Sequence, residues 1–121
     1  MYIILVEDDP HVRQLYKLEL EDSGYEVFVV EDEKELFKAM EEKHPSLVVL
    51  DIVLEGRVIG LDLLLKLRQS CPDMPIILHS AYDAFAGDPR AMAAADYYVI
   101  KSYDTSELLR KIHQAMEAFI P

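Results

Sequence analysis

Cysteine is nearly absent from this sequence. Cys71 is the only one, so no disulfide can form within the chain and a reducing compartment is allowed. Basic residues are scarce too: 12 Lys and Arg face 23 Asp and Glu, for a net charge of −11. That balance argues against direct nucleic-acid binding, which needs a Lys/Arg surface for the phosphates. A docked basic partner, or a cation held by carboxylates, fits it better. Glycine occurs only at Gly24, Gly56, Gly60 and Gly87, so neither a G-x-G-x-x-G dinucleotide fingerprint nor a P-loop can be built. No apolar run approaches membrane-spanning length, and MYIILVEDDP turns acidic too early for a signal peptide. The expected setting is cytoplasmic, with no membrane partner.

What is present describes a globule. The 121 residues, 51% hydrophobic and 29% charged, suit one domain with a sizeable core. Short runs rich in Val and Ile occur at Ile3–Val6, Val27–Val30, Leu47–Leu50 and Ile76–Leu78, with a weaker one at Tyr97–Ile100. They are too continuous for one-sided alternation and read as strands buried on both faces. Helical patterns separate them. Asp9-Pro10 opens the first, which carries Val12, Leu15, Tyr16 and Leu20 and stops at Gly24. The second spans about 34–42 and ends before His44-Pro45. The third covers about 61–69, and the fourth is short and Ala-rich after Asp88-Pro89. The last opens on Asp104-Thr105-Ser106-Glu107, a capping-box pattern, carries Leu108, Leu109, Ile112 and Met116, and runs on toward Phe119, Ile120 and Pro121. Strand and helix thus alternate five times. The expectation is an α/β fold with an open, doubly wound, five-stranded parallel sheet.

In such sheets the site lies beyond the C-terminal ends of the strands, near the reversal of strand order. Glu7-Asp8-Asp9 follows the first strand, Asp51 the third, His79-Ser80-Ala81 the fourth and Lys101-Ser102 the fifth. Each group alone has an ordinary explanation. The first three acids suit a helix N-terminus, and Asp9 before Pro10 reads as a cap. A serine is often a loop hydroxyl and a lysine a solvated one. Together they place three or four carboxylates, a hydroxyl and an ammonium on one edge. Crowded carboxylates require a cation, and all-oxygen ligands suit Mg²⁺.

Rival chemistries fail on the same letters. A phosphatase with an aspartyl nucleophile would want an acid two residues after Asp51, where Val53 stands. Serine chemistry at Ser80 would want a base on its own face, whereas adjacent His79 points to the other face of a strand. Cys71, His11, His44, His79 and His113 have no metal-site spacing. His79 reads as a packed residue.

With these strand ends lined up, the chain resembles a response-regulator receiver domain of two-component signalling. The resemblance rests on IILVEDDPHVR, LVVLDIVL, MPIILHSAY and ADYYVIKSYDTSELL and covers essentially the whole chain, so residues 1–121 are expected to form a single receiver domain. It implies a flavodoxin-like three-layer sandwich. It also implies roles: Asp51 the phosphoacceptor, Asp8 the direct Mg²⁺ ligand with Glu7 beside it, and the backbone carbonyl of Val53 completing the protein's ligands. Ser80 would hydrogen-bond the phosphoryl group, Lys101 would pair with it, and Tyr98 would move inward with the hydroxyl. The phosphoryl donor would be a phosphohistidine on a histidine kinase or phosphotransfer protein. The output would run through the face of the fourth helix, fifth strand and fifth helix, to a downstream domain or protein or to a homodimer partner. No enzyme activity is expected beyond self-phosphorylation and slow self-dephosphorylation.

Three departures stand out. The residue after Lys101 is usually proline joined by a cis bond, and here it is Ser102. A cis bond before a non-proline residue costs about 3–4 kcal/mol, so a trans bond and a slightly altered aim of the lysine are expected. Four residues after the acceptor the usual proline is replaced by Glu55. The expected glycine arrives one residue late, at Gly60, which implies an insertion in the loop. The alternative left open is a phosphorylation-independent interaction module that keeps the fold.

Overall fold

The computed structural model describes residues 2–102 and 104–117; the expected run to Phe119, Ile120 and Pro121 lies outside them. Its elements are β1 (Tyr2–Val6), α1 (Pro10–Asp22), β2 (Glu26–Val30), α2 (Glu33–Lys43), β3 (Leu47–Leu50), β4 (Val53–Leu54), β5 (Arg57–Val58), α3 (Gly60–Ser70), β6 (Ile76–Ser80), α4 (Pro89–Ala94), β7 (Tyr97–Ile100) and α5 (Ser106–Glu117). Five of the strands form one sheet in the order β2-β1-β3-β6-β7. Every pairing in it is parallel. The order reverses between β1 and β3, so the crevice beyond those two strands is where a ligand site is expected.

The continuous apolar runs have a simple cause: the sheet is covered on both faces. Alternate strand residues serve opposite layers. Ile4, Val6, Val48, Leu50, Ile76 and Leu78 pack under α2, α3 and α4 with Leu36, Leu61, Leu64 and Ala91. Ile3, Leu5, Leu47, Val49, Ile77 and Val99 pack under α1 and α5 with Tyr16, Leu20, Leu108 and Ile112. The expected doubly wound, three-layer arrangement is therefore present.

Several local expectations hold. Asp9 caps α1, accepting the amides of His11 at 2.9 Å and Val12 at 3.2 Å. Gly24, at φ +97°, turns the chain out of α1. Others need correction. The five-fold alternation is interrupted by β4 and β5, an antiparallel ribbon pairing Leu54 with Arg57 and Val53 with Val58. Its two-residue turn has both central residues at positive φ, Glu55 at 53° and Gly56 at 73°, the signature of a type I′ hairpin. The implied insertion after Asp51 is this ribbon. The capping box at α5 is only half made. Asp104 accepts the Ser106 amide at 2.9 Å, but its own amide donates to Ser102 Oγ at 3.2 Å. Glu107, which a full box would turn back to Asp104, pairs instead with Arg110.

Gly60 is where the ribbon meets the sheet. Its amide donates to the Ile52 carbonyl at 2.8 Å. A β-carbon added there would lie 2.1 Å from the Asp51 carbonyl oxygen and 2.5 Å from Ile52 Cα. Both are backbone atoms that no rotamer change can move. Gly60→Ala is therefore expected to lower stability by about 3 kcal/mol, through overpacking against rigid backbone, which urea denaturation would measure.

His79, 1% exposed, sits in the α1/α5 layer with its ring edge-on to Tyr16 at 4.6 Å. Burial first, then the charge of Lys101, pushes its pKa down to about 3. A depressed histidine binds fewer protons when folded, so its contribution is present above the ordinary pKa of 6.5 and is lost as pH falls toward 3. His79→Phe, which keeps a ring against Tyr16, is expected to remove about 2 kcal/mol of the stability loss between pH 7 and pH 5. Denaturant melts at the two pH values test this.

Candidate functional site

The strand register assembles the site. Val6 pairs with both Val30 and Leu50, so the residues that follow, Glu7 and Asp51, emerge side by side at the reversal of strand order. Both are buried, Glu7 at 1% and Asp51 at 4% exposure. Glu7, Asp8 and Asp51 each bring a carboxylate oxygen within 4.8 Å of the others. Lys101 arrives from the end of β7 and closes the cluster. Its Nζ lies 2.6 Å from Glu7 Oε1 and 2.9 Å from Asp51 Oδ2. The first contact is an ion pair without hydrogen-bond alignment, so the buried Oε1 has no aligned donor.

Backbone amides hold the rest of these oxygens. The Asp9 amide donates to Glu7 Oε2 at 3.2 Å, Val53 to Asp51 Oδ1 at 3.3 Å, and Glu55 to Asp8 Oδ2 at 2.6 Å. In a two-residue hairpin the pair flanking the turn carries the ladder bonds. Val53, one step further out, is left with its N–H free of the ribbon, and it goes to Asp51 Oδ1.

Electrostatics follow from burial. Desolvation raises the Glu7 pKa to about 7, with the Asp51 charge adding to it and Lys101 opposing. Burial likewise raises Asp51 against the pull of Lys101. For Lys101, burial is the largest single effect and pulls downward, yet the two carboxylates together outweigh it and the ammonium is retained. Three acids against one ammonium leave a surplus of negative charge. A set of hard anionic oxygens, one of them buried without an aligned donor, fits a small divalent cation of the Mg²⁺ kind.

The expected residues divide into two groups. Glu7, Asp8, Asp51, Val53 and Lys101 line one cleft, together with Gly56, Ala81 and Tyr82. Ser80 and Tyr98 stand behind it. Ser80, fully buried, accepts the Tyr82 amide on Oγ at 3.1 Å, and the Tyr98 hydroxyl donates to the Tyr82 carbonyl. Tyr98 packs into the α2–α4 layer and Tyr97 into the other, so the two tyrosines face opposite ways, as neighbours on a strand do. The Lys101–Ser102 bond is trans; no cis peptide occurs among the described residues.

Sequence reasoning missed the Glu55 amide on Asp8. The only signal was an apolar pair on either side of Glu55-Gly56, a weaker turn signature than Asn-Gly. It also took Tyr16 as a core residue only. Its hydroxyl donates to the Ser102 carbonyl at 2.8 Å and accepts the Ser102 amide at 3.3 Å.

The fold agrees with what the chain is similar to. Residues 3–113 match the family model of the response regulator receiver domain. An uncharacterized transcriptional regulatory protein of Bacillus subtilis (strain 168), YkoG, is 34% identical over 116 residues, covering 95% of this chain and 50% of that protein. The C4-dicarboxylate transport transcriptional regulatory protein DctD of Pseudomonas aeruginosa is 30% identical over 95% of this chain and 25% of its own length. The chain thus spans a quarter to a half of these curated relatives. Among solved structures, the response regulator TrrA of Thermotoga maritima in complex with Mg²⁺-BeF superposes with a TM-score of 0.87 at 36% identity, covering 94% of this chain and 97% of that one. TrrA also appears in a complex with the histidine kinase ThkA, with a TM-score of 0.86. No helix among the described residues is long and apolar enough to cross a membrane. The chain belongs to the response regulator receiver domain family, the phosphoacceptor switches of two-component signalling.

Proposed function

We propose that this chain accepts a phosphoryl group on Asp51 from a phosphohistidine of a histidine kinase or phosphotransfer protein, in a reaction dependent on Mg²⁺. The observation that carries the reading is the Lys101 ammonium seated between Glu7 and Asp51, with Asp8 beside them. Phosphoryl transfer asks little covalent work of the protein. It needs an in-line oxygen and neutralisation of the charge on the transferring group. Asp51 Oδ2 supplies the oxygen. A bond forms from it to phosphorus while the P–N bond to the imidazole breaks, and the imidazole nitrogen takes up a proton. Lys101 then exchanges its hold on Asp51 Oδ2 for the incoming phosphoryl oxygens.

Glu7, Asp8, Asp51 and the Val53 carbonyl would hold Mg²⁺, which when bound supplies positive charge to the phosphoryl oxygens. The Ser80 hydroxyl gives up the Tyr82 amide to meet the phosphoryl group. Tyr98, tied to the same Tyr82, follows it inward. The altered surface is the one formed by α4, β7 and α5, where Met92 and Ile100 are exposed. A downstream output domain or protein, or a second copy in a homodimer, would meet it there. The same family membership supports a signalling role rather than turnover of a separate substrate, with slow self-hydrolysis of the acyl phosphate resetting the switch in a cytoplasmic setting.

Intact-mass measurement after incubation with Mg²⁺ and acetyl phosphate is expected to show a gain of one phosphoryl group that Asp51→Ala abolishes. A gain that persists in Asp51→Ala, or no gain at all, would sink the reading in favour of a phosphorylation-independent module. Without a phosphodonor, Mg²⁺ is expected to raise the melting temperature by several degrees, and Asp8→Asn to remove most of that shift. Calorimetric melts with Mg²⁺ and with EDTA test it.

A further inference from the structure

We propose that Tyr16 is a positioning residue for Lys101, acting through the backbone of Ser102; this deepens the phosphoacceptor reading and rests on it. The paired part of β7 ends at Ile100. The last tie to the sheet is the Lys101 amide, which donates to the Ser80 carbonyl at 2.7 Å. Beyond it stands Ser102, which, unlike proline, has both backbone dihedrals free and an N–H that needs an acceptor. Nothing in the ladder fixes it.

Tyr16 does. Its phenol, on α1 and 3% exposed, donates to the Ser102 carbonyl and accepts the Ser102 amide. One hydroxyl can do both at once, having one proton and two lone pairs. The ring itself packs at 81° against that of His79, with centroids 4.6 Å apart, and burial raises the phenol's pKa, so the donor proton is retained. Further along, Ser102 Oγ takes the Asp104 amide, so the clamp continues into the start of α5. The order of support is His79, Tyr16, Ser102, Lys101. What it delivers is an ammonium that has to meet two carboxylates at 2.6 and 2.9 Å, a geometry that drifts if Ser102 does.

The test uses Tyr16→Phe, which keeps the packing ring and removes only the hydroxyl. Amide hydrogen exchange followed by NMR is expected to speed at Ser102 by tenfold or more, while amides of β3 keep their relative protection. Phosphorylation by acetyl phosphate with Mg²⁺ is expected to slow about five- to tenfold in the otherwise unaltered chain and to be unchanged when the substitution is made in Lys101→Met. Unchanged exchange at Ser102, an unchanged rate, or an equal loss in both backgrounds overturns the proposal, the last because it would mark a general effect on the fold. If the unaltered chain takes up no phosphate, the proposed function fails on its own account. The clamp is then judged by exchange at Ser102 together with the Lys101 ε-methylene shifts, and shifts that stay put in Tyr16→Phe overturn it.

Discussion

The structure depends on one contact group, the Lys101 ammonium between two buried carboxylates. Glu7 and Asp51 are brought together by register, because β1 and β3 are neighbours in the sheet and end level with one another. Left alone they would repel in a place where water cannot screen them, and burial already pushes both toward protonation. Lys101 comes from the far edge strand, two positions across the sheet from β3. Its charge therefore ties the ends of β1, β3 and β7 at the point where a doubly wound sheet is most open. Under the proposed function, stability and signalling would use this contact in opposite ways: it neutralises the crevice at rest, and it would loosen when a phosphoryl group arrives.

Around that contact the site is set largely by main-chain atoms. Gly60 lets the start of α3 lie against the Asp51 and Ile52 backbone at a distance that excludes any side chain. The amides of Asp9, Val53 and Glu55 fix one oxygen each on Glu7, Asp51 and Asp8. Backbone donors hold a carboxylate without the rotamer entropy a side-chain donor would lose, so the acids are oriented before any ligand binds. The far end of the molecule is held similarly. Arg68 donates to the carbonyls of Pro72, Met74 and Ala94 and pairs with Asp96, tying the C-terminal ends of α3 and α4 to the start of β6.

The parts of this arrangement that could be read from the letters share a cause. A strand buried on both faces leaves a continuous apolar run, and a charge that ends such a run has few places to go. The five main strands and Glu7, Asp8, Asp51 and Lys101 were legible for that reason. The β4–β5 ribbon was not, because strands of two residues have no period to detect and Glu55 is a poor advertisement for a positive φ. The clamp at Ser102 was invisible because its partner Tyr16 lies 86 residues away, and a buried tyrosine at helical spacing looks the same whether its hydroxyl is used or not. The capping box at Asp104 was over-read, since Ser102 Oγ competes for the amide that the box requires.

Two of the three departures from the usual receiver pattern, Glu55 and Ser102, prove to be related in kind. At position 55 the family usually has proline, which can neither adopt a φ of +53° nor donate an amide. Glu55 does both, and the donated amide goes to Asp8. At position 102 the usual proline is again replaced by a residue with an N–H, and that N–H is taken by Tyr16. In each case the stiffness of a ring is exchanged for a main-chain hydrogen bond, on either side of the same crevice. A proline fixes φ permanently, whereas a hydrogen bond worth about 1 kcal/mol can open and re-form. Asp8 and the segment carrying Lys101 are thus held by bonds that can yield, which would suit the change of partners that the proposed function asks of them.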